Sequence, residues 1–472
     1  MKSSYFLTEV SAEDFAKMAA EFNEKNDFAK WQMNFAQTVE FGKMREKLGW
    51  KTYFLIFAKE ENGEANVRGS SFKFRNDEFG GSRKFLKEAE ICGVMVAAQS
   101  AGWARRLDIF CGPILDFGDG ERVAGFSREI KLFAKKIGAS SVSMNPNVIY
   151  QIREKSGEVR QPVKQRNCSE GGGEKIGEKC IINLRENGWK WSGLTVKSAQ
   201  PRFLFVRDLT EESYEQAFAK FDTSAKTAIR RARENGLTIR EMARGEIPAI
   251  KKIFEETAAR QGFRDKNLEY YLALNDSFGE KVKFMVTELD VVKLKENLQA
   301  KIENISRKMA REKISAGAKK EFANQKMAAE KRREDIAKLP DVKTGREKIA
   351  INAGVFIEMA NFGRGNISRE MVYLFGGTRD GYMEFGAVYG LLDQMIRECF
   401  AKGTSRFNFY GISGVFDSRD PTYGVLKFKQ AFGGEIWELV GEFEMVIARG
   451  KIFAGKVGAK GKGIARKLLG RN

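Results

Sequence analysis

Phe407-Asn408-Phe409-Tyr410-Gly411-Ile412-Ser413-Gly414, followed at short range by Gly424-Val425-Leu426-Lys427-Phe428-Lys429-Gln430-Ala431-Phe432-Gly433-Gly434, is the stretch from which the fold is read. Aromatic residues alternate along the first run, as on a strand with one buried face. The strand ends on Tyr410-Gly411, which carries its side chains to the edge of a sheet. A loop containing Pro421 leads into a short basic helix closed by two glycines. Lys429, one residue from Phe428, then lies beside that edge. Strand, loop and helix together announce a mixed α/β protein.

The same rhythm extends outward. Helices are expected from Ala12 to Met18, from Phe35 to Leu48 and from Arg128 to Ile137. Strands are expected at Lys51–Ala58, Leu107–Cys111 and Ser141–Met144. Residues 151–179 are polar and glycine-containing and read as a loop. A second block repeats the pattern, with strands at Arg202–Asp208 and Leu237–Glu241 and helices at Ser213–Phe221 and Ala225–Asn235. Residues 289–339 break it. They contain no proline, and Val291, Leu294, Leu298, Ile302, Ile305 and Met309 step by three and four before Pro340 stops the run. This predicts two antiparallel helices folded into a coiled-coil arm. Between Lys293 and Arg333 the arm carries 13 Lys and Arg against 5 Glu, a face suited to RNA phosphates. The expected organisation is a first domain over 1–183, a second over 184–288 and 341–448, the arm over 289–340 and a basic tail over 449–472.

Composition narrows the chemistry. The chain has 472 residues, a net charge of +19 and no histidine. The charge favours a polyanionic partner. The missing imidazole excludes Ser-His-Asp triads, Cys-His pairs and His-ligated metals. Any general base must be Asp, Glu, Lys, Tyr, Cys or the substrate itself. The 5 cysteines are widely spaced, with no C-x-x-C pair, which points to a reducing compartment and no metal cluster. The N-terminal residues lack a signal-peptide core, and no window is apolar enough to span a membrane, so a cytoplasmic protein is expected.

Four stretches carry a family likeness. The first is Gln37, Phe41-Gly42-Lys43-Met44-Arg45 and Gly49-Trp50. The second is Gly112-Pro113, the helix to Gly138, and Pro146. The third is Gln200-Pro201-Arg202, Asp208-Leu209, Lys226 to Gly236, and Phe254 to Tyr271. The fourth is the opening stretch, extended back to Tyr373–Gly377 and on to Gly441-Glu442-Phe443. In this order they resemble the Fem family, bacterial ligases that move an amino acid from aminoacyl-tRNA onto a peptidoglycan precursor. The likeness covers most of residues 25–447.

The resemblance implies an α/β (α+β) fold of two acetyltransferase-like (GNAT-like) domains, with the coiled-coil arm inserted in the second. It implies that Lys429 sits by the acceptor end of the charged tRNA, holding phosphates or stabilising an oxyanion. Phe428 would stack on an unpaired base there. Tyr410 and Gly411 would line the substrate site. Arg45 stands where the family has a lysine that meets the precursor's diphosphate, exchanging a point charge for a fork. Arg264 and Lys266 are alternative phosphate ligands. Asp417, Asp420 or a substrate carboxylate would take the proton. No cofactor or metal is implied, since aminoacyl-tRNA is the co-substrate and no acetyl-CoA turn is found between a strand and a helix. The acceptor would be a UDP-linked or lipid-linked muropeptide precursor. The tail could then touch the inner face of the membrane. Competing readings are a non-catalytic RNA binder gripping through the arm, and an acyl-CoA-dependent N-acyltransferase.

Overall fold

The computed structural model describes residues 5–27, 32–60, 89–102, 105–160, 172–194, 200–210, 213–311, 314–361 and 368–450. Cys168 and the tail beyond Gly450 lie outside them. The strands are β1 (Tyr5–Glu9), β2 (Lys51–Glu60), β3 (Ala89–Gln99), β4 (Arg106–Ile109), β5 (Ile114–Leu115), β6 (Ser141–Met144), β7 (Ile149–Glu154), β8 (Lys190–Trp191), β9 (Phe203–Asp208), β10 (Leu237–Glu241), β11 (Val282–Asp290), β12 (Lys348–Asn361), β13 (Ser368–Thr378), β14 (Arg406–Ile412), β15 (Glu435–Leu439) and β16 (Phe443–Val446). They form two mixed sheets. The first runs β1-β2-β3-β4-β6-β16-β8, with β5 paired to β3. The second runs β10-β11-β12-β13-β14-β9-β15-β7.

Helices cover these sheets in layers. The first part of the chain supplies α1 (Ala12–Lys25), α2 (Val39–Lys47), α3 (Gly120–Lys136) and α4 (Gly172–Glu186). The later part supplies α5 (Tyr214–Ala219), α6 (Thr223–Glu234), α7 (Ile247–Gln261), α8 (Leu268–Phe278), α9 (Val291–Met309), α10 (Ala316–Ala337), α11 (Pro340–Lys343), α12 (Ala387–Ala401) and α13 (Tyr423–Gln430). Local caps set several starts. Ser11 accepts the Asp14 N–H at 3.1 Å, Asp119 the Arg122 N–H at 3.1 Å, and Asp290 the Lys293 N–H at 2.9 Å.

Thr52 to Ala58 of β2 are buried without interruption, the mark of a strand covered on both faces. One face meets α3 and α4 through Tyr53, Phe57, Phe126, Phe133 and Leu184. The other face enters a core shared by both sheets. There Phe54 and Ile56 join Phe35 and Phe41, Phe254 of α7, Tyr271 of α8, and Phe284, Val355 and Val372 of the second sheet. The next residues along those strands, Met285, Phe356 and Tyr373, point the opposite way, into a core with α12 and Phe407, Phe409 and Phe432. The shared middle layer of α1, α2, α7 and α8 therefore forms the seam between the sheets.

Residues 151–154 and 172–179 are not the expected loop, and residues 161–171 lie outside the described ones. Ile149–Glu154 form β7, which closes the edge of the second sheet against β15, and α4 begins at Gly172. β7 is a strand because its hydrogen-bond partners come from the far end of the chain. Reciprocally, β16 inserts between β6 and β8 of the first sheet. Each sheet thus takes one strand from the other's part of the sequence. The helices α9 and α10 lie antiparallel: Lys308 stands 5.9 Å from the Phe322 ring, and Arg333 donates to Gln299 Oε1 at 2.9 Å. Their base is anchored to the second sheet, where Leu294, Leu298 and Ile336 pack with Leu289, Ile351 and Phe385.

Candidate functional site

The strand β14 pairs in parallel with β13 only from Glu370↔Arg406 to Val372↔Asn408. Its antiparallel register with β9 shifts between Asn408 and Gly411. At this bulge Tyr410 adopts φ +63°, a left-handed conformation uncommon outside glycine. The Tyr410 N–H, turned out of the ladder, donates to Asn408 Oδ1 at 2.8 Å. The carbonyls of Tyr410 and Gly411 consequently face α13 rather than a neighbouring strand.

Lys429 receives them. It is 6% exposed, and its Nζ donates to Gly411 O at 2.6 Å and to Tyr410 O at 3.3 Å. Among the described residues no carboxylate pairs with it. Burial alone lowers its ammonium from 10.5 to about 7. Tyr410, Gly411 and Lys429, named from the sequence, are therefore in direct contact. Phe428 points elsewhere: its ring packs edge-on against Tyr389 at 5.1 Å and Phe432 at 5.8 Å. Asp417 binds Arg419, and Asp420 accepts from Thr422, so both carboxylates serve their own turn.

A second constellation gathers the residues around Arg45. Gln37 bridges two separating strands, donating to Phe110 O at 2.7 Å and accepting the Val96 N–H at 2.9 Å. That places Phe110 over α2. The turn after α2, with Gly49 at φ +80°, brings Trp50 back so that its N–H meets Arg45 O at 3.0 Å. The Arg45 guanidinium then lies 3.8 Å from the Trp50 ring centroid and 4.8 Å from that of Phe110. Burial lowers its pKa, while Tyr270 and Asp108 favour the charged form. Two buried polar atoms here, Arg45 Nε and Asp108 Oδ2, have no hydrogen-bond partner among the described residues. Burial pushes the Tyr270 hydroxyl up to about 12, against the pull of Arg45. Lys266, exposed like Arg264, lies 5.4 Å from the Tyr270 ring, which ties it to this constellation.

An aromatic wall links the two places. Phe35 lies 6.1 Å from Tyr410 and 6.1 Å from Phe41, and Tyr270 lies 6.0 Å from Phe375. Burial, with Cys111 and Tyr270 adding to it, holds the Tyr410 hydroxyl well above its ordinary value. Both constellations therefore border the seam between the sheets. Asp108, Phe110 and Asn408 received no role from the sequence. Only a polar residue inside an aromatic strand, as at Asn408, offered a signal.

The chain is 26% identical over 341 residues to the aminoacyltransferase FemB of Staphylococcus epidermidis, covering 70% of this chain and 76% of that protein. It is 27% identical over 350 residues to the aminoacyltransferase FemA of Staphylococcus aureus, covering 70% and 77%. The crystal structure of FemX superposes with a TM-score of 0.60 at 16% identity, over 94% of this chain and 98% of that one. That likeness establishes the shared two-sheet α/β fold. The profile of the FemAB family matches residues 19–454. Since this span takes in the Arg45 cage, the bulge at Tyr410 and Lys429 alike, the chain belongs to the FemAB family.

Proposed function

We propose that this protein transfers an amino acid from aminoacyl-tRNA to a primary amine on the stem peptide of a peptidoglycan precursor. The observation that carries the reading is Lys429, buried without a counter-charge beside the bulge of β14. A group so placed is an anion site waiting for an anion. The aminoacyltransferase names of FemA and FemB supply the reaction class.

In the proposed step the acceptor amine attacks the ester carbonyl of the aminoacyl-tRNA. A C–N bond forms, the ester C–O bond breaks, and the proton lost by the amine passes to the departing ribose oxygen. The Lys429 ammonium stabilises the oxyanion formed between these events. The ester is already activated, so positioning supplies much of the acceleration, about 7–11 kcal/mol in favourable cases. This suits a chain with no histidine. Arg45, whose buried Nε lacks a partner among the described residues, and Lys266 hold the precursor's phosphates, and the Asp108 oxygen takes a hydrogen bond from the same ligand. The basic α9–α10 hairpin meets the tRNA, and we place the reaction on the cytoplasmic side, where charged tRNA is found. No helix among the described residues is long and apolar enough to cross a membrane.

The test is to incubate the protein with charged total tRNA and a precursor in nucleotide-linked and lipid-linked forms, and to follow precursor mass. A gain of aminoacyl residues that depends on charged tRNA is expected. No gain with either acceptor, alongside tight tRNA binding, would leave an RNA-binding protein instead.

A further inference from the structure

The bulge that presents two carbonyls to Lys429 is itself held from behind. Glu370, on β13, is buried with both carboxylate oxygens occupied. Arg406 donates to its Oε2 at 2.7 Å, and Asn408 Nδ2 donates to its Oε1 at 2.6 Å. Arg406 is fixed in turn by Trp437, whose ring centroid is 4.8 Å away. Residues 406 and 408 share a face of β14, and the parallel pairing sets Glu370 opposite Arg406.

A side-chain amide has two nearly isosteric ends, one donating and one accepting. What stands on either side of it selects the orientation, and a charged partner selects most strongly. Glu370, an acceptor alone, draws Nδ2 of Asn408 toward itself. That leaves Oδ1 facing the Tyr410 N–H, which it accepts at 2.8 Å. Reversed, the amide would set oxygen against carboxylate and NH2 against N–H. The left-handed region is strained for a residue with a side chain, so Tyr410 needs such a tie to stay there. Its conformation in turn directs the carbonyls of Tyr410 and Gly411 at Lys429 Nζ.

We propose that Glu370 and Asn408 are positioning residues for Lys429: the carboxylate orients the amide, the amide fixes the bulge at Tyr410, and the bulge seats the amine. Neither residue touches the amine itself. The inference rests on Lys429 being the group that meets the aminoacyl ester.

Three variants of the full chain test it: Asn408→Asp, Glu370→Gln, and both together. Asn408→Asp sets two carboxylates face to face in a buried site and breaks the relay. The double variant rebuilds it with reversed polarity, because the Gln amide donates to the new carboxylate, whose other oxygen still accepts the Tyr410 N–H. In aminoacyl transfer Asn408→Asp should lower kcat ~10-fold or more with little change in KM for the precursor. The double variant should recover to within about 3-fold of the parent.

A second readout is independent of the reaction: the rate at which acetic anhydride acetylates Lys429, followed by peptide mass spectrometry. Asn408→Asp should raise it about 5-fold or more by loosening the seat, and the double variant should reverse the rise. Unchanged acetylation in Asn408→Asp would overturn the proposal, as would a rise that Glu370→Gln does not reverse. If the parent protein shows no aminoacyl transfer, the proposed function fails, and the acetylation series still decides whether Glu370 and Asn408 position Lys429.

Discussion

In an unfolded chain Lys429 titrates near its ordinary value of 10.5, and in the folded protein burial brings it to about 7. Between those values the unfolded chain holds a proton that the folded chain has released. Stability therefore rises with pH across that window, by about 1.4 kcal/mol per unit where the difference is complete. Below pH 7 both states are protonated and the full cost of burying an ammonium is present. Lys429→Met should accordingly be more stable than the parent at pH 6, and its advantage should shrink by about 2 kcal/mol between pH 7 and pH 9. Urea melts at a series of pH values measure this. An advantage that does not vary with pH would mean that Lys429 keeps its proton throughout. Arg45→Gln removes the guanidinium from its aromatic cage. It should raise KM for the precursor about 10-fold or more and leave kcat nearly unchanged, as read from initial rates. The contact of Lys429 with the end of β14 was legible because the strand and helix that frame it are close in sequence. The cage around Arg45 was only half legible, since Phe110 and Tyr270 reach it from distant segments. Glu370 carried no local signal at all: its meaning depends on a parallel pairing that brings it beside Asn408.

At the scale of elements, α6 and α12 cross closely. Gly386 caps α12 at φ +74°, and a Cβ there would press into the Ala228 carbonyl of α6, while one on Gly390 would meet Ala232 Cβ at 2.9 Å. Gly386→Ala should cost about 3 kcal/mol, adding backbone strain to a forced shift of α6. Gly381 is a matched control. It has φ +84° but open space around it, so Gly381→Ala should cost about 1 kcal/mol. Equal shifts in the denaturation midpoint would refute the close crossing. The helices α9 and α10 were read nearly to their ends, because three- and four-residue spacing is a property of the segment itself. The strand β7 was missed for the opposite reason. Ile149, Tyr150 and Ile152 resemble any short mixed run until β15 is placed beside them.

The whole molecule is held together by what crosses the seam. The shared core of α1, α2, α7 and α8 joins the inner faces of the two sheets, and β7 and β16 exchange places at their edges. Phe443 of β16 is fully buried with Tyr53, Phe126 and Trp189, residues from much earlier in the sequence. Phe443→Ala should therefore cost about 3–5 kcal/mol and speed amide hydrogen exchange in β6 and β8, with β12 and β13 less affected. Acceleration confined to the residues around 443 would show that β16 merely rests on the first sheet. Two mixed blocks were evident from the repeating helix-and-strand rhythm. The exchange of strands between them was not, because hydrophobic alternation gives a strand its faces but not its partner.

That exchange imposes an order on how the protein is made. A ribosome releases β6 and β8 before most of the second sheet, yet the slot between them is filled only when β16 emerges, after the last strand of that sheet. The first sheet is thus completed only after every strand of the second has left the ribosome. Until then β6 presents an unpaired edge, an open template for another nascent strand.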